Sequence, residues 1–116
     1  MRLAEFRLRM ESYRREVDEE AMSLKDSYLA LDRLHALYQK FDAEERAMAN
    51  QVLAEWALSE DEKVRFDALA LIDDFKIATA IPALEKLAER LATSGTPGAP
   101  YELQKLRRIM GSLAAQ

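Results

Sequence analysis

A chain of 116 residues with 49% hydrophobic and 33% charged side chains is the length of one domain, has enough apolar surface to fold without metal or disulfide, and does not have the composition of a disordered segment. Cysteine is absent, which excludes disulfides, Cys-ligated zinc and thiol catalysis and accords with a reducing cytoplasm. The formal net charge is -4; the opening stretch alternates charge with apolar residues where a signal peptide would be apolar, and no apolar run approaches the ~20 residues of a membrane span, so the expectation is a soluble, cytoplasmic, single domain over 1–116.

The first apolar stripe runs through Leu3, Phe6, Met10, Tyr13, Val17, Ala21 and Leu24, one narrow face of a helix that packs on one side only. Ser23 and Asp26 are candidate caps for a second helix carrying Tyr28, Leu31, Leu34, Leu37, Tyr38 and Phe41. Asp42 with Glu45 has capping-box spacing ahead of a third helix whose inner face is Ala49, Val52, Leu53 and Trp56. Ser59 with Glu62 reads as a second box, opening a fourth helix with Val64, Ala68, Leu71, Ile72 and Phe75 inward. Thr79 is the expected cap of a fifth helix, which tolerates Pro82 in its first turn and buries Leu84, Leu87, Ala88 and Leu91. The stretch 93–100, TSGTPGAP, holds two of the three Gly and two of the three Pro and reads as an exposed connection. Pro100 then opens a sixth helix through Leu103, Leu106, Ile109, Met110 and Leu113. No run has the period-2 alternation of a strand. The fold class is therefore all-α.

The elements repeat. The segments 34–41, 68–75 and 106–113 share apolar positions at offsets of 34 and 38 residues, and Ala49, Val52, Leu53 and Trp56 match Leu84, Leu87, Ala88 and Leu91 at an offset of 35. Two patterns alternating at one period predict stacked helical hairpins at about 2–41, 42–77 and 78–116, each walling the next. Val64-Arg65 followed by Ala68 and Ile72, with the later Ala80-Ile81-Pro82-Ala83-Leu84, resembles the HEAT-repeat family. The likeness covers about residues 43–92, and it fades over the first forty residues and at 93–101. It implies three antiparallel hairpins in a short right-handed solenoid whose second helices line a concave binding surface. HEAT-like repeats serve scaffolds, inhibitors, lyases and DNA-repair enzymes, so the likeness implies no single activity.

Charge is uneven: residues 1–40 sum to 0, 41–74 to -7 and 75–116 to +3. An acidic middle repels nucleic-acid phosphate and attracts a basic partner. On a helical wheel Phe66, Ala70 and Asp73 face away from the core of the fourth helix. The aligned positions are Asp32, Ala36 and Gln39 before it and Gln104, Arg108 and Gly111 after. The expected partner-binding strip is accordingly Phe66 as an apolar anchor with Asp67, Asp73 and Asp74, joined by Asp32, Gln39 and Arg108. Arg65 is expected to pair with nearby acids and order the joint between repeats, and Trp56 to be core.

Little in the sequence points to chemistry. His35, the only histidine, stands three residues after Asp32, a ligand-pair spacing that lacks the second motif a di-metal bundle needs. The acidic clusters have no base, nucleophile or metal spacing, no glycine-rich loop offers a phosphate cradle, and the short basic runs Arg14-Arg15 and 105–108 have no interleaved aromatic platform. The expectation is a non-catalytic protein–protein interaction module without cofactor or metal, binding a partner with a basic surface and neither nucleic acid nor membrane; its size and acidic centre also resemble small bacterial immunity proteins that neutralise a basic toxin. The alternatives are a HEAT-like nucleic-acid-binding or DNA-repair enzyme, and a helical bundle that self-associates through the Leu3–Leu24 stripe.

Overall fold

A computed structural model describes residues 2–24 and 28–115. Six α-helices and one 3-10 turn account for the secondary structure, with no strand among the described residues: α1 (Leu3–Leu24), α2 (Leu29–Lys40), α3 (Ala43–Trp56), α4 (Glu62–Asp74), a 3-10 turn (Ala78–Ala80), α5 (Ile81–Ala92) and α6 (Ala99–Ala114). The all-α reading is correct. Helix is favoured because neither Gly nor Pro occurs before Pro82, so no residue with the large helix-breaking cost interrupts the first four elements. The chain packs as two compact units, 1–52 and 53–116.

In the first unit α1 and α2 lie against each other. Phe6, Met10, Val17 and Ala21 of α1 and Ala30, Leu34 and Tyr38 of α2 are buried, the spacing that places one stripe of each helix against the other. The Phe6 and Phe41 rings meet with centroids 5.1 Å apart, and Arg33 makes a two-pronged bond to Glu20, at 2.9 and 3.3 Å. The start of α1 therefore lies near the end of α2, an antiparallel pair. The ends of the predicted stripe do not reach the interior, since Leu24 and Tyr28 are 63% and 65% exposed. Asp26 lies outside the described residues, and Ser23 is an exposed residue of α1.

Asp42 and Glu45 form the reciprocal capping box. The Glu45 amide donates to Asp42 Oδ1 at 2.8 Å and the Asp42 amide to Glu45 Oε1 at 3.1 Å, satisfying two backbone donors at the start of α3. The cap of α4 differs from expectation. Asp61 Oδ1 accepts from the Lys63 and Val64 amides at 2.9 and 3.4 Å, while Ser59 Oγ accepts from the Asp61 amide and so shapes the approach. A carboxylate two residues nearer the first helical amide displaces the serine, and its charge also suits the positive helix end. Thr79 caps nothing: it lies within the 3-10 turn, and α5 begins after Ala80 with no side-chain cap and Pro82 in its first turn.

In the second unit α5 and α6 pack together and α4 packs on α6. Leu84, Leu87 and Leu91 of α5 and Ala99, Leu106, Ile109 and Leu113 of α6 are buried, each large side chain contributing about 1.5–3 kcal/mol by leaving water. Trp56 is buried, as its place on the inner face of α3 requires. The connection from Thr93 to Gly98 is largely exposed.

Candidate functional site

α4 and α6 run side by side in the same direction. Arg65, near the start of α4, grips Glu102, near the start of α6; Lys76, just beyond the end of α4, donates to Ser112 Oγ near the end of α6 at 2.7 Å. These two pairs are 37 and 36 residues apart in sequence, so the helices are in register as well as parallel.

Arg65 carries the joint. Its Nε and one terminal nitrogen donate to the two Glu102 carboxylate oxygens at 2.8 and 3.1 Å. The other terminal nitrogen donates to the carbonyls of Ser59 and Glu60 at 3.0 and 3.1 Å. A guanidinium fork is the side chain that can span a carboxylate and two carbonyls at once. The hydrogen bond to Glu102 raises the Arg65 pKa above its ordinary value, against the opposing effect of burial. The acid that Arg65 pairs with is on α6, and Glu62 and Asp61 beside it add to the same electrostatic effect.

Between α4 and α6 lies an open groove of about 770 Å³, whose lining includes Glu62, Phe66 and Leu69 from α4 and Tyr101, Lys105 and Arg108 from α6. Leu69 is buried and forms apolar floor, whereas Phe66 and Tyr101 are 42% and 77% exposed. The Lys105 ammonium sits 4.4 Å from the centre of the Phe66 ring, a cation held against the ring's negative face. Of the acidic groups lining the groove, Glu102 is neutralised by Arg65 and Glu62 stays exposed at the end where both helices begin.

The predicted contact residues separate on this frame. Phe66 and Arg108 line the same groove. Asp67 does not belong to an accessible surface: it is 3% exposed. Its position explains this, because it lies three residues after Val64 and four before Leu71, on the inward stripe that also buries Ala68. Asp73 is half-buried and pairs with Lys76 at 3.1 Å, outside the groove lining. Asp74 is exposed on α4, and Asp32 and Gln39 are exposed on α2 in the first unit, where the Gln39 carbonyl accepts from Arg46.

Tyr101, Lys105 and Glu62 are among the groove residues that the expected strip did not include. Tyr101 and Lys105 were legible in the stripe Tyr101, Lys105, Arg108, whose spacings of four and three put them on the outward side of α6. This stripe also supplies the aromatic–basic grouping that the short run 105–108 lacked when read alone. Among the described residues no group of three or more His, Asp or Glu side chains is placed to hold a metal ion, and no helix is long and apolar enough to cross a membrane. Comparison with protein-family models, curated proteins and solved structures returns no match for the chain.

Proposed function

We propose that the chain is a non-catalytic protein-interaction module whose working surface is the groove between α4 and α6. The observation that supports this is the exposure of two aromatic side chains, Phe66 and Tyr101, in one groove beside Arg108. Tyr and Arg dominate interface hot spots, and an aromatic ring left in water beside an apolar floor gains most when a partner covers it. The surface is of mixed charge, with Glu62 at one end and Lys105 and Arg108 towards the other. Partner choice then rests on a charge pattern along the groove more than on a uniformly acidic field.

The HEAT-like solenoid is proposed as the scaffold of this module. Its support is the parallel, in-register packing of α4 on α6 with α5 intervening, at a pairing offset of 37 and 36 residues. Second helices of successive stacked hairpins are related in this way.

A helical-peptide display library panned against the immobilised protein, with the enriched peptides then titrated against the wild type and the Phe66→Ala/Tyr101→Ala double variant, tests the reading. Enriched peptides should bind the wild type in solution and lose at least tenfold in affinity, about 1.4 kcal/mol or more, to the double variant. Peptides that bind both equally would sink the assignment of the groove. The grouping of aromatics with cations also favours a second reading, capture of single-stranded nucleic acid by stacking. Salt-sensitive micromolar binding of a labelled oligonucleotide, abolished in the same variant, would select that reading over the first.

A further inference from the structure

We infer that the partner covering the α4–α6 groove is a second copy of this chain, laid across it in the reverse direction about a two-fold axis. The inference rests on the groove being an interaction surface and deepens that reading by naming the occupant.

Because α4 and α6 are parallel and in register, the groove has two chemically different ends. Glu62 and Tyr101 stand where both helices start, Lys105 and Arg108 lie further along, and Phe66 lies between, with Leu69 beneath. The level of Glu62 is that of Ala99, the first residue of α6, given that Arg65 pairs with Glu102. From there to Arg108 is nine residues of helix, about 13.5 Å at 1.5 Å per residue. Two such grooves brought face to face in opposite directions match anion with cation at both ends. The Glu62 carboxylate of each copy meets the Arg108 guanidinium of the other. The exposed face of each Tyr101 ring meets the other copy's Lys105, whose ammonium already lies on Phe66 at 4.4 Å and so becomes enclosed between two rings. Phe66, at the middle, meets its own counterpart and loses its remaining exposure.

Every contact of this kind occurs twice, which is the self-complementarity a two-fold interface demands. A face-to-face arrangement with both grooves running the same way would set Glu62 near Glu62 and Arg108 near Arg108, so like charges select the reversed one. Glu102 does not compete for the cations, because both its oxygens are held by Arg65 within the same copy.

Sedimentation velocity over a concentration series, at low and at moderate salt, reads the result. The wild type should dimerise, more weakly as salt rises. Glu62→Arg alone and Arg108→Glu alone should each weaken the dimer at least tenfold, because each sets two like charges together at both ends. The doubly swapped chain, Glu62→Arg with Arg108→Glu, should recover affinity to within about threefold of wild type, since the exchange restores each ion pair with its sign reversed. Both side chains are exposed, and far-UV circular dichroism with Trp56 emission verifies that each variant is folded. A wild type that stays monomeric at about 1 mM, the weak end of specific association, overturns the inference. So does a dimer indifferent to the single substitutions, which would place the interface on another face. Either failure leaves the broader reading testable on its own, because display-selected peptides that require Phe66 and Tyr101 would show a groove that serves another protein.

Discussion

Lys76 occupies a backbone conformation that ordinary side chains avoid, with φ at 52°. It does so because α4 ends in a Schellman turn: the Ile77 amide reaches back to the Ile72 carbonyl at 3.0 Å and the Lys76 amide to that of Asp73 at 3.3 Å. Ile77 and Ile72 are both buried, at the two positions whose apolar contact commonly accompanies this turn. A left-handed residue with a side chain costs roughly 1–2 kcal/mol, and the Lys76 side chain offsets little of it. Its pair with Asp73 leaves both partners at 43% and 40% exposure, where such bridges contribute about 0–1 kcal/mol. Lys76→Gly is therefore expected to stabilise the fold by about 0.5 kcal/mol after allowing for glycine's freer unfolded chain, and Lys76→Val to destabilise it by more than about 1 kcal/mol. Urea titrations followed by Trp56 emission read both; a loss of stability with glycine would show that the links to Asp73 and Ser112 outweigh the backbone strain. The end of α4 near Phe75 was legible from hydrophobic period, but the turn was not, since its left-handed residue is neither Gly nor Asn. Asp67 was misread for a related reason. Residue type suggests solvent, yet the position between Val64 and Leu71 turns it inward, and geometry prevails over type.

At the scale of elements, periodicity carried far because every helix has one buried stripe, and the capping box at Asp42 follows from two residues at fixed spacing. What it left open was which helices touch. Aligning repeats matched Phe66 with Gln104, which identifies the equivalent position on α6. Gln104 does line the groove with Phe66, but so do the flanking Tyr101 and Lys105, and it is Lys105 whose ammonium lies on the Phe66 ring. Interhelix pairs such as Arg65 with Glu102 have no sequence signal in a single chain, because either residue has closer oppositely charged neighbours along its own helix. That pair governs the joint on which the groove depends. With side-chain exposures of 14% and 19% it is shielded enough to exceed a surface bridge, and Arg65 satisfies two further carbonyls. Arg65→Ala should lower unfolding free energy by about 2–3 kcal/mol, since Glu102 is then left partly buried without its cation. Arg65→Lys should lose about 1–2 kcal/mol, as an ammonium cannot serve the carboxylate fork and both carbonyls together. Losses below about 0.5 kcal/mol in chemical denaturation would instead rank the pair with ordinary surface bridges.

For the whole molecule, the charge distribution changes meaning once the packing units are known. Counted by thirds of the sequence the middle is strongly acidic, but residues 1–52 hold nine basic and eleven acidic side chains and residues 53–116 hold eight and ten, so each unit carries -2. Acidity is thus spread over both, and neither stands out as a field for a basic partner. The pH response of the fold follows from the groups whose protonation differs on folding. Arg65 is raised by its bond to Glu102 and keeps its charge throughout the accessible range. Tyr38 is also raised: its burial disfavours the phenolate, and this outweighs the lowering by the Arg46 cation and by the hydrogen bond to Asn50. A phenol whose folded pKa lies above its unfolded value of about 10 contributes stability that is complete below that value and is lost as pH rises through the folded pKa. The alkaline limb of the stability curve should therefore fall more steeply in wild type than in Tyr38→Phe. At neutral pH the order reverses in cost, because phenylalanine forfeits the 2.7 Å bond from the Tyr38 hydroxyl to Asn50 Oδ1, worth about 1 kcal/mol. Urea unfolding followed by circular dichroism, repeated at steps from about pH 8 to 11, should show the two curves separated by that amount at the lower end and converging above pH ~10. Parallel curves over the whole range would assign the alkaline loss to other groups and remove Tyr38 as its source.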